Sequence, residues 1–187
     1  MSSIGYIYEE ELSQQTVTGT TSFTSITSTK TLTSGNKYAV FVNSQFGGND
    51  TNFLFSIRVR ANGVTLQGST RVREMNSSVH EQSYSYMTVF TSDGSPVSIE
   101  IQTQDGSKTA RVEASTILCL DISDLSEGSD YIYNEDVRTL YNTDTYSSVN
   151  SLSIPTNYQN EGNWLVTAHV EKDVNDISFN SYTRIKL

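Results

Sequence analysis

Apolar side chains recur on every second residue along most of this chain. Phe53, Phe55, Ile57 and Val59 alternate with Leu54, Ser56, Arg58 and Arg60, a period of two that turns one strand face to a core and the other to water. Asn62-Gly63 comes next. A type I′ turn needs positive φ at both central residues, which this dipeptide supplies, so Val64 to Arg73 is expected to return as the paired strand. Tyr84, Tyr86, Thr88 and Phe90 then share one face, with Met87 and Val89 on the other. Val97, Ile99 and Ile101 alternate with Ser98, Glu100 and Gln102, and Ala110, Val112 and Ala114 open a long strand running through Ile117 to Ile122. Asp93-Gly94 and Asp105-Gly106 mark the turns between these runs.

The amino-terminal third carries the same signals in a more polar setting. Thr16 to Thr33 is nearly all Thr and Ser, punctuated by Val17, Phe23, Ile26 and Leu32, and predicts one or two edge strands. Ser34-Gly35-Asn36 turns the chain into a strand from Tyr38 to Phe46, which Gly47-Gly48-Asn49-Asp50 closes. Met75 to Gln82 reads as a loop. Short strands separated by turns about a dozen residues apart predict an all-β sandwich or barrel over residues 1–122, with 1–15 as an amino-terminal arm.

Residues 121–130 read DISDLSEGSD, acidic and small, and 123–130 are expected to form a linker. Beyond it the opening of the chain returns. Tyr131-Ile132-Tyr133-Asn134-Glu135-Asp136 repeats Tyr6-Ile7-Tyr8-Glu9-Glu10-Glu11; one inserted residue later Trp164 matches Tyr38, Val166 matches Val40, Phe179 matches Phe53, and Arg184-Ile185-Lys186 match Arg58-Val59-Arg60. Residues 131–187 are therefore expected to be a partial second copy of the first domain. The first copy continues past Ala61, opposite Leu187, and half a domain buries too little surface to be comfortable alone. Either the natural chain continues, or these strands complete a sheet supplied by the first domain or by a neighbouring subunit, as open strand edges invite, and packing against another polypeptide is the expectation.

Composition narrows the role. Eleven Tyr stand against one Trp and two Pro in 187 residues; Tyr suits half-buried sheet faces and subunit contacts, because its ring packs while its hydroxyl stays wet. With 12 Lys and Arg against 21 Asp and Glu the net charge is −9, which argues against gripping nucleic acid backbones, where cations must replace counterions. No apolar run approaches the roughly 20 residues of a membrane helix, and the amino terminus lacks the basic and apolar regions of a secretory signal. Synthesis in the cytoplasm of a host cell is the expectation.

Candidate chemistry is sparse. Cys119 is the one cysteine, set in an apolar run and expected to be a small buried hydrophobe. His80 and His169 have no acidic or histidine neighbour at a zinc-ligand spacing, and no nucleophile-elbow, phosphate-loop or H-E-x-x-H motif is present. Glu9, Glu10, Glu11, Asp121, Asp124, Glu127, Asp130, Glu135 and Asp136 gather at equivalent ends of the two copies; without calcium-loop spacing they read as solvated acids. Asn49 and Asn76 head glycosylation patterns that need a secretory route. Arg58 and Arg60, with Arg71 and Arg73 across the predicted hairpin, put four cations on neighbouring strands, suited to acidic partners across the sheet or to a subunit contact. No catalytic residue, metal or cofactor is expected, and the chain reads as non-enzymatic.

The strand from Tyr38 to Phe46, the Arg58-Val59-Arg60-Ala61-Asn62-Gly63 hairpin, the strand from Ser83 to Phe90, the run Gly94 to Gln102 and the closing Val112 to Ile122 together resemble the tumour-necrosis-factor-type jelly roll, a domain that recurs in tailed-phage virion proteins. The resemblance spans residues 16–122 and, in part, 131–187. It implies an antiparallel jelly-roll sandwich, oligomers such as trimers, and a capsid-decoration, knob or fibre role in a virion, partnered by copies of itself and other virion proteins. The alternative it leaves open is a module binding a host glycan or receptor, with exposed Tyr and Trp164 stacking on sugars. Tyr38, Arg58, Arg60, Tyr84, Tyr86, Trp164 and Arg184 are the candidate contact residues.

Overall fold

The computed structural model describes residues 5–19, 22–48, 52–75 and 82–127. These belong to a compact unit, Met1–Leu125, and to the start of a second that begins at Ser126. The expected partial repeat, 131–187, with Trp164 and Arg184, lies outside the described residues, as do His80, His169, Asn49 and Asn76.

Among the described residues all ten elements are strands: β1 (Tyr6–Glu11), β2 (Gln15–Thr18), β3 (Thr24–Ser28), β4 (Lys37–Gly48), β5 (Phe53–Ala61), β6 (Val64–Thr65), β7 (Arg71–Met75), β8 (Gln82–Thr91), β9 (Ser98–Thr103) and β10 (Thr109–Asp121). They form two antiparallel sheets. In sheet A the order is β1-β10-β4-β8, with β2 also pairing β10; in sheet B it is β3-β9-β5-β6, with β7 also pairing β5. β1 covers Ser115–Leu120 and β2 covers Thr109–Val112 of the same β10 edge, so the two share one edge position, and β6 and β7 share another along β5. Eight positions remain. The chain changes sheet at every connection except those within a shared edge and from β5 to β6, which gives two interlocked Greek keys, a jelly roll.

Alternation builds the core between the sheets. Phe55, Ile57, Val59, Ile99 and Ile101 from sheet B meet Val40, Val42, Phe46, Val112, Ile117 and Cys119 from sheet A, all almost fully buried. The Phe46 ring meets Phe55 edge-on, centroids 4.8 Å apart at 76°, a preferred geometry for aromatic pairs. Asn62 and Gly63 adopt φ of 53° and 68°, as the hairpin requires. The Asp93 and Asp105 turns are closed by their own carboxylates, which accept from the Ser95 and Ser107 amides at 2.8 and 2.9 Å. Gly19, at φ 63°, lies so close to Gly106 that a Cβ there would collide with its carbonyl oxygen.

Three expectations need correction. Val64 to Arg73 is not one returning strand: Leu66 to Thr70 leaves the ladder between β6 and β7. Ser69, fully buried, takes over the ladder's role. Its hydroxyl accepts from the Val59 amide at 3.2 Å and lies 2.7 Å from the Leu66 carbonyl, while the Leu66 amide donates to the Val59 carbonyl at 2.9 Å. Ser69→Ala strands the Val59 amide and should lower stability by about 2 kcal/mol, read as a shift of the urea midpoint at unchanged slope.

The four cations do not face one another either. Arg71 pairs with Ile57 and Arg73 with Phe55, so neither stands directly opposite Arg58 or Arg60, and the register puts Arg71 at an inward position of the sheet. The acids among the described residues also stand apart, while Asp130, Glu135 and Asp136 lie outside them. Glu9, Glu10 and Glu11 oppose Ile117, Thr116 and Ser115 in the middle of β10, whereas Asp121 opposes Tyr38 at its end.

Candidate assembly surface

Tyr38, Tyr84 and Tyr86, expected as contact residues, are instead core residues at 3, 4 and 7% exposure. All three occupy inward positions of β4 and β8. Their hydroxyls find internal acceptors and donors: Tyr84 donates to the Ser69 carbonyl at 2.6 Å, Tyr86 to the Gln67 carbonyl at 2.7 Å, and the Tyr38 oxygen accepts from the Thr33 amide at 3.2 Å. The first two reach across the sandwich from sheet A and tie down the β6–β7 loop. A buried phenol needs such a partner, which is why these rings point inward without stranding a polar atom.

Arg58 and Arg60 stand on the outer face of sheet B. Glu100, on the neighbouring β9 and only 7% exposed, accepts from Arg58 Nε at 2.7 Å and Nη2 at 2.5 Å, with Arg60 Nη1 at 3.7 Å. The Arg58 guanidinium also lies over Phe23, 3.8 Å from the ring centroid, a cation–π contact. This set joins the lead-in of β3 to β9 and β5, and it covers Phe23 with a cation. Its function is internal fastening of the sheet.

The outer face of sheet A carries what the sequence reading missed. Register places Tyr6 (β1), Leu120 (β10), Ala39 (β4) and Val89 (β8) in one row, and Tyr8, Leu118, Phe41 and Met87 in the next. Two adjacent rows, across all four strands, hold no charge. Tyr6 and Tyr8 are 71 and 47% exposed; the other six are partly exposed. One row further the face turns polar, with Glu10, Thr116, Asn43 and Ser85. Tyr8 donates to Glu10 at 2.8 Å, and this bond to the carboxylate pushes the phenol pKa up.

An antiparallel sheet with one wet face normally alternates apolar and polar positions. In β10 the run Ile117-Leu118-Cys119-Leu120 is apolar on both faces, as in strands covered on both sides. That run, with Ala39 and Phe41 beside Val40 and Val42, was the signal available in the sequence. Contiguous apolar surface rimmed by polar residues marks an interaction site.

Other sites are slight. Asn52, Phe53, Leu54, Gln104 and Asp105 line a shallow, open depression at the edge of the sandwich. Among the described residues no group of three or more His, Cys, Asp or Glu is arranged to hold a metal ion, and no helix is long and apolar enough to cross a membrane. Cys119 is fully buried behind Val40, and burial pushes its thiol up to about 12. Because only the thiolate attacks, alkylation of the native protein at neutral pH should be at least ~100-fold slower than of the urea-unfolded chain, where the thiol returns to the ordinary value of about 8.5. Mass spectrometry of the alkylated protein reads this directly.

No family model and no curated protein matches the chain. Solved structures do resemble it. A chain of the infectious bursal disease virus Gt strain is 11% identical with a TM-score of 0.44; the match covers 66% of this chain and 33% of that one. A Bacillus endospore appendage, described as a disulfide-linked pilus, is 15% identical at TM-score 0.38, with 63% and 89% covered. A family 35 carbohydrate-binding module from Clostridium thermocellum is 7% identical at TM-score 0.34, with 62% and 98% covered. The chain thus spans about a third of the viral protein's length.

Proposed function

We propose that this chain is a non-enzymatic structural subunit of a virus particle, a jelly-roll module that acts by assembling with copies of itself and with other particle proteins. The observation that carries the reading is the uncharged double row on the outer face of sheet A, a surface that a free-standing sandwich would make polar. The tailed-phage setting and a place in the capsid decoration, tail or fibre belong to this proposal and follow from the resemblance to tumour-necrosis-factor-type jelly rolls. Peptides of the chain should be found by mass spectrometry in purified particles at a fixed ratio to the major coat protein. Finding them in infected-cell lysate and never in particles contradicts the reading.

A second reading, a carbohydrate-binding module, draws on Tyr6 and Tyr8. Both rings are exposed, stand two residues apart on an edge strand, and so present adjacent stacking surfaces. A glycan array separates the two: selective binding that is lost in Tyr6→Ala and Tyr8→Ala supports the sugar reading, and silence supports the scaffold.

A further inference from the structure

We propose that the outer face of sheet A docks on the same face of a second copy of this chain, about a two-fold axis, with Phe41 of each copy seated over Ala39 of the other. The inference rests on the assembly reading above and names its surface and geometry.

Shape points to a self-match. Ala39 leaves a hollow between Leu120 and Val89, and Phe41 in the next row raises a knob between Leu118 and Met87. A two-fold axis lying in the interface, across the strands and midway between the rows, keeps each strand over its own counterpart and exchanges the rows. Knob then meets hollow twice, as an isologous contact requires. Leu120 falls over Leu118, Val89 over Met87 and Tyr6 over Tyr8. Stacked sheets pack about 10 Å apart with strands within about 30° of alignment, and an axis across the strands is compatible with that packing.

Charge and size agree. The net charge of −9 opposes association of two copies, yet neither row holds a charge. Glu10 lies outside the rows on the edge strand, and Lys37 on β4 is brought over the partner's neutral Asn43. The two rows and the flanking Glu10–Ser85 row cover four strands ~4.8 Å apart and three rows ~6.8 Å apart, extended on β4 and β8 by Lys37 and Thr91. Side chains on such a footprint bury less than the roughly 800 Å² per partner of a standard-sized interface, which suits a concentration-dependent dimer.

Sedimentation velocity of the full chain over a wide concentration range tests this, with the far-ultraviolet spectrum and melting temperature of each variant confirming the fold. The wild type should dimerise. Ala39→Arg places a charge in the hollow and Ala39→Phe sets knob against knob; each should weaken dimerisation at least ten-fold. The double variant Ala39→Phe/Phe41→Ala exchanges knob and hollow on both copies and should restore it, a rescue that a partner of unrelated shape would not give. An oligomer that Ala39→Arg leaves intact overturns the proposed face while the assembly reading stands. A strictly monomeric wild type overturns the proposal. If hydrogen exchange then shows residues 126–187 losing protection in Ala39→Arg, the occupant is the chain's own carboxy-terminal part.

Discussion

Phe55→Ala should cost about 4 kcal/mol of unfolding free energy, the largest single effect expected in this molecule. Phe55 is fully buried, stacks edge-on with Phe46 at 4.8 Å and touches Phe53 at 6.3 Å between centroids. Removing the ring forfeits its transfer free energy and leaves a cavity that two sheets held by continuous ladders cannot collapse around. Domains of this size hold a total of about 5–15 kcal/mol, so the variant should unfold at much lower urea concentration while keeping its slope. Phe55→Leu, which keeps most of the volume, should cost well under half as much. Equal losses for the two would mean that the ring does not sit between the sheets.

Glu100→Ala should be the second largest, at about 3 kcal/mol. The Glu100 side chain is 9% exposed on the outer face of sheet B, and its carboxylate receives two bonds from Arg58. Deleting it leaves the Arg58 guanidinium partly buried against Phe23 with its counter-charge gone, and breaking such a pair costs more than the pair is worth when intact. Arg60→Ala should cost under about 1 kcal/mol, because its side chain is 45% exposed and its contact is 3.7 Å. A double-mutant cycle between Arg58 and Glu100 isolates the coupling. A coupling near zero would show that Glu100 is held by burial alone.

Which residues were legible beforehand follows from the range of the forces involved. The β5 strand, the Asn62-Gly63 turn, β8, β9 and β10 follow from a period of two and from turn chemistry, both local. The shared face of Tyr84, Tyr86 and Phe90 was legible for the same reason. Periodicity separates the two faces of a strand without saying which is the core, so Tyr38, Tyr84 and Tyr86 were expected at a contact surface and stand in the core instead. The break between β6 and β7 depends on the Ser69 hydroxyl reaching Val59, and on the Tyr84 and Tyr86 hydroxyls reaching the loop from the other sheet. Sequence spacing does not encode such contacts.

The double apolar row was hidden by the same limit. Each member is visible singly: Tyr6 and Tyr8 in the opening strand, Phe41 among valines, Met87 and Val89 opposite the tyrosines, Leu118 and Leu120 in the apolar run. Their alignment exists only through the registers β1 to β10, β10 to β4 and β4 to β8, which join segments far apart in the chain. A one-residue slip in any of them would send that strand's apolar members to the other face. The surface is therefore a property of topology, and the jelly roll is what assembles it.

An electron cryo-microscopy reconstruction of the assembled protein addresses the central claim most directly. The account predicts the eight-position strand order with the Tyr6–Val89 and Tyr8–Met87 rows covered by protein density. Those rows bare to solvent in the assembled particle, with subunits meeting through other faces, would contradict it.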